Sequence, residues 1–109
     1  MTNYIFIESR DPFDSGDLQF VEETATALKQ RGHEVTLFLV QNGVLACRRN
    51  LRDSYLARLA EVGVTVLADD FSLRERGMPD ADLPSSVQQS NIEILVGTLV
   101  QENTKAIWH

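Results

Sequence analysis

A chain of 109 residues with 43% hydrophobic side chains holds one domain with a modest core, small enough that self-association would add stability. Sixteen acidic residues against ten basic ones give a formal charge of −6, which repels phosphate backbones and anionic lipid, so neither nucleic acid nor a membrane is an expected partner. The single cysteine, Cys47, excludes an internal disulfide and a zinc site of several thiolates. This fits a reducing cytoplasm, as does a start without a basic, apolar leader. No apolar run approaches the ~18–20 residues needed to cross a bilayer.

Asn3 to Glu8 opens the chain as a strand around the apolar run Tyr4-Ile5-Phe6-Ile7. A polar loop from Arg10 to Asp17 follows. A helix then runs to about Arg31, because Leu18, Val21, Ala25 and Leu28 recur at helical spacing; Asp14 or Ser15 can cap its start and Gly32 ends it. Val35 to Val40 is nearly all apolar, the mark of a strand covered on both faces. Gln41-Asn42-Gly43 turns the chain into a helical region from Val44 to about Val62, broken near Asn50, with Leu51, Tyr55, Leu59 and Val62 as its apolar stripe. Val64 to Ala68 is the next strand, and Phe71 to Arg76 a short helix ended by Gly77. Val87 to Gln89 is a minor strand. Ser90 and Glu93 have capping-box spacing for a helix from Asn91 to about Glu102, and Ala106 to Trp108 is a terminal strand.

Alternating strands and helices imply right-handed crossovers and an α/β fold: a mainly parallel sheet of about five strands with helices on both faces. Working loops in such sheets lie beyond the carboxyl ends of the strands. Here those loops are Glu8 to Asp17, Gln41 to Gly43 and Asp69 to Ser72.

The stretch from Gly63-Val64-Thr65-Val66-Leu67-Ala68-Asp69 through Arg76-Gly77-Met78 resembles the strand–loop–helix signature of the DsrE/DsrF/TusD-like sulfur-relay family. Phe38 to Val44 resembles that family's apolar strand and Gly-Val turn, and Arg31 to Val35 its helix-to-strand corner. The resemblance implies a three-layer, flavodoxin-like domain that forms a homo-oligomer, trimer or hexamer, or a hetero-oligomer with related sulfur-relay subunits. It also implies a persulfide-carrying cysteine at the end of the third major strand. Asp69 stands at that position, and a carboxylate cannot attack a donor sulfur as a thiolate does. The chain thereby resembles the family's cysteine-lacking scaffold subunits.

Each candidate residue has two readings. Cys47 could carry sulfur if the helix start and Arg48 and Arg49 lowered its pKa, but Val44, Cys47 and Leu51 also form a buried stripe. Asp69 and Asp70 could bind a polar ligand or partner, or cap the next helix. Arg10, Asp11, Asp14 and Ser15 could join Asn42 and Asp69 in a polar pocket, or form an ordinary loop. Arg76 reads as a packing residue, Tyr55 and Trp108 as core or interface aromatics, and His33 and His109 as surface residues. Phosphoryl-acceptor, P-loop, dinucleotide and Ser-His-Asp patterns are missing, so no cofactor or metal is expected.

Three functions remain open at this stage. The chain is a non-catalytic subunit that assembles and docks sulfur-transfer proteins, a sulfur carrier using Cys47, or a module binding a small polar ligand at Arg10, Asn42, Asp69 and Asp70.

Overall fold

The computed structural model describes residues 2–12, 18–48, 55–78 and 83–109. Five strands form one sheet in the order β4-β3-β2-β1-β5, and every neighbouring pair is parallel. The strands are β1 (Asn3–Glu8), β2 (Glu34–Leu39), β3 (Thr65–Asp69), β4 (Val87–Ser90) and β5 (Thr104–Trp108). Between them lie α1 (Leu18–Gln30), a 3-10 segment Gln41–Cys47, α2 (Tyr55–Glu61), α3 (Asp70–Glu75) and α4 (Ile92–Leu99). This is the expected α/β, three-layer, flavodoxin-like arrangement.

The chain steps outward from β1 to β4, then returns to lay β5 on the free side of β1. A right-handed crossover in the opposite direction places its helix on the opposite face. Accordingly, α1 and α2 cover one face and α4 the other. The larger cluster includes Phe6, Leu37, Leu39 and Val66 from the strands, Val21 and Ala25 from α1, and Leu56 and Leu59 from α2. The smaller joins Ile5, Ile7, Phe38 and Val40 to Leu95 of α4. Alternate residues of β1 and β2 thus serve opposite faces, which explains their unbroken apolar runs. A fully buried Leu or Phe here contributes about 2–3 kcal/mol of transfer free energy. Arg58 of α2 grips Glu22 of α1 with hydrogen bonds of 2.7 and 2.9 Å, fixing the two helices side by side.

Several local expectations are corrected. The region after Asn42-Gly43 begins as a 3-10 segment, Gln41–Cys47, and among the described residues the regular helix of this region is Tyr55–Glu61. The expected break near Asn50 and the stripe residue Leu51 lie outside the described residues. So do Asp14 and Ser15, the proposed caps of α1. The start of α4 is capped by Asn91, whose Oδ1 accepts the Ile94 N–H at 3.0 Å, while Ser90 is the last residue of β4. The helix ends at Leu99, short of Glu102, and Asn103, at a left-handed φ of 61°, precedes β5.

Candidate functional site

Because all strands are parallel, their carboxyl ends gather on one side of the molecule. There the tips of β2 and β3 are joined by a hydrogen-bonded chain. Asp69 ends β3 and caps α3: its Oδ2 accepts the Ser72 N–H at 2.9 Å and the Ser72 hydroxyl at 2.7 Å. The Ser72 Oγ in turn accepts the Gln41 N–H at 2.9 Å. Gln41 sits at a φ of 50°, so the bend after β2 is taken by a glutamine in left-handed conformation. Arg76 donates to Asn42 Oδ1 from Nε and Nη2, at 3.2 and 3.1 Å, and to the Ser72 carbonyl from Nη1 at 3.3 Å. Asp69 and Ser72 are buried, and Asp69 Oδ2 and the Ser72 N–H and hydroxyl are all engaged in this relay, which ties the tips of β2 and β3 together.

Beside this relay opens a groove of about 810 Å³. It is lined by Asn42, Asp69 and Asp70, three of the residues singled out in the sequence. Its other walls come from Phe71, Glu75 and Arg76 of the α3 region, from Asn91, Ile92 and Glu93 at the start of α4, and from Trp108 at the end of β5. The start of α4 was missed as part of a site. The signal was available, since Val87 to Gln89 read as a strand and the loop after any parallel strand belongs to the same rim.

Arg10 does not line this groove. It follows β1 instead, where its backbone N–H and its positive charge both act on Glu8. Asp11 pairs with Arg48 at 2.8 Å. The Glu8 side chain is completely buried, and both its oxygens approach His109 Nδ1, at 2.9 and 2.7 Å. Burial pushes the Glu8 pKa up, while His109 and Arg10 pull it back without cancelling the rise. His109 is therefore not a surface residue. Parallel pairing of β5 with β1 brings it over the tip of β1, where its carbonyl accepts from Ser9 N at 2.9 Å and Ser9 Oγ at 3.0 Å. That tip is where the direction of the crossovers reverses, a position where α/β sheets often hold ligands. Here the glutamate–histidine pair fills it. His33 is also half-buried, with its ring edge-on to Tyr4 at 5.2 Å.

Cys47 lies at the end of the 3-10 segment, 1% exposed within the larger apolar cluster. Burial pushes its thiol pKa up to about 12, opposite to what a sulfur nucleophile needs. Tyr55 is core, with its hydroxyl pKa also raised, chiefly by burial. Among the described residues, no three His, Cys, Asp or Glu side chains come together as a metal site, and no helix is long and apolar enough to cross a membrane.

No protein-family model matches the chain, and no curated protein matches it by sequence. Solved structures do match. A protein of unknown function from Methanobacterium thermoautotrophicum, MTH1491, superposes with a TM-score of 0.83 at 19% identity, over 100% of both chains. The E. coli ychN protein superposes with a TM-score of 0.81 at 19% identity, again over 100% of both. BT1422 of Bacteroides thetaiotaomicron, a conserved protein of unknown function, gives 0.79 at 14% identity, over 98% of this chain and 94% of that one. At these identities the likeness establishes a shared fold across the whole chain and leaves the chemistry of the strand tips to be argued from the residues present.

Proposed function

We propose that this chain is a non-catalytic, DsrE-like subunit that assembles with copies of itself or with related sulfur-relay subunits and docks sulfur-transfer proteins. The observation that carries this reading is Asp69. At the tip where the resemblance calls for a thiol stands a buried carboxylate already engaged by the Ser72 N–H and hydroxyl. The fold shared with MTH1491, ychN and BT1422 fits a DsrE-like chain. The apolar seat of Cys47 argues against a second route for sulfur.

Assembly has its own support in α4. Leu95 faces the sheet, yet Val96 and Val100, spaced by four, leave an apolar stripe more than half exposed along its flank. A second copy seated on this uncharged stripe would bury it.

Two measurements test the reading. After incubation with polysulfide, the intact protein should keep its mass, and native mass measurement should give a multiple of 12.3 kDa. Stoichiometric gain of one sulfur atom on Cys47 would replace this proposal with the sulfur-carrier reading. A monomer at all concentrations would end the claim of self-assembly. The groove favours one further reading, a binding module at the strand ends, and its chemistry narrows the choice of ligand.

A further inference from the structure

Three large apolar side chains stand exposed on the rim of the strand-tip groove: Phe71 at 58%, Ile92 at 55% and Trp108 at 65%. Each comes from a different element, so one helix stripe does not account for them, and together they outline the wall of a single concavity. The ionisable groups lining it are Asp69, Asp70, Glu75 and Glu93 against Arg76, a net of −3. Their engagement differs. Asp69 caps α3, Asp70 is bridged to Arg74 at 3.3 Å, and Arg76 is held by Asn42 and Ser72. Glu75 and Glu93 are exposed and form no ion pair among the described residues. An anionic ligand is repelled here. A small hydrated cation gains nothing from the apolar wall. A second copy of the chain carries the same −6 and brings no surplus of positive charge.

We propose that the groove docks a basic, apolar segment of a partner protein, its apolar side chains against Phe71, Ile92 and Trp108 and its lysine or arginine heads beside Glu75 and Glu93. This deepens the docking reading by naming the chemistry of what is docked. The volume suits a few side chains of such a segment, since pockets of roughly 300–1,000 Å³ hold ligands of that size. Apolar contact supplies most of the affinity, and the two carboxylates select the sign of the partner.

Trp108 is the only tryptophan in the chain, so the groove carries its own reporter. The full-length protein is titrated with a short synthetic peptide of alternating Lys and Leu, and with one bearing Glu in place of every Lys, while Trp108 emission is followed. The Lys/Leu peptide should shift the emission to the blue and saturate, and the Glu/Leu peptide should not. The double variant Glu75→Lys, Glu93→Lys should weaken binding about tenfold, as loss of two exposed charge pairs predicts. Phe71→Ser should weaken it severalfold with the charge unchanged. A control pair away from the groove, Glu61→Lys with Glu102→Lys, alters the net charge equally and should leave binding as it was.

The proposal is overturned if the emission ignores the Lys/Leu peptide, if both peptides act alike, or if the control pair weakens binding as much as the groove pair. It is also overturned if the emission shifts with protein concentration alone, because a second copy then occupies the groove. None of these results depends on polysulfide loading or native mass, so failure here is distinguishable from failure of the assembly reading.

Discussion

Gly43 offers the sharpest test of the structural argument. Its φ lies outside the left-handed region, so its backbone does not require glycine. The requirement is space. A Cβ built there would collide with the Glu8 carbonyl oxygen and stand 2.9 Å from the carbonyl carbon and 3.5 Å from Ser9 Cα. All three obstacles are backbone atoms at the tip of β1, and none can rotate away. The same carbonyl accepts the Val40 N–H at 3.0 Å, so moving it breaks the bond that locks β1 to the end of β2. Overpacking costs about 1–3 kcal/mol, and an obstacle of backbone puts Gly43→Ala at the upper end. The lost hydrogen bond adds about 1 kcal/mol, for a total near ~3–4 kcal/mol. For a domain of this size each kcal/mol moves Tm by about 4–8 °C, so a fall of at least ~12 °C is expected. Gly97→Ala is the contrast: a Cβ there meets nothing within 4 Å, and removing a helix-interior glycine should stabilise by about 0.5–1 kcal/mol. Thermal unfolding followed by circular dichroism at one fixed protein concentration reads both variants. A Gly43→Ala protein within ~3 °C of the parent would show that β1 and the 3-10 segment do not meet as described.

Two further outcomes are expected. The raised folded pKa of Glu8 means that the native state holds this proton more tightly than the unfolded chain does. Its stabilising contribution is therefore complete below the ordinary carboxylate value of 4.5 and is lost as pH rises through the folded value. The difference in Tm between the parent and Glu8→Gln should shift against the parent as pH rises across that window; a shift in the parent's favour would contradict the burial argument. Asp69→Ala removes the cap of α3 and leaves two buried donors of Ser72 without their acceptor, a loss of about 2 kcal/mol in urea unfolding. Asp69→Asn keeps an acceptor oxygen and should lose about half as much; equal stability of all three proteins would remove Asp69 from its structural role.

The strands and longer helices were legible because each carries a period. Val35 to Val40 is apolar on both faces because Leu37 and Phe38 serve opposite clusters. Leu18, Val21 and Ala25 mark the buried side of α1 as their spacing required. What escaped the sequence was set by distance or by crowding. Glu8 and His109 are 101 residues apart, and only the parallel register of β5 on β1 brings them together. Asn42-Gly43 reads as a turn, yet Gln41 takes the positive φ and Gly43 is needed for clearance. In α4 the run Ile92-Glu93-Ile94-Leu95-Val96 is apolar nearly all round, so no periodicity could say that Leu95 alone would be buried. Asn42, Asp69 and Asp70, read from the strand ends, line the groove, whereas Arg10 lies beside Glu8 and the α4 wall required the observed strand order.

The relay that binds Asp69, Ser72 and Gln41 leaves the end of β3 committed. Any side chain put there to react would have to leave these donors behind, so new chemistry at this corner would begin by loosening it. Firmness and reactivity are alternatives at a single position. In this molecule the corner is firm, a fixed post beside which the open acidic trough keeps its shape.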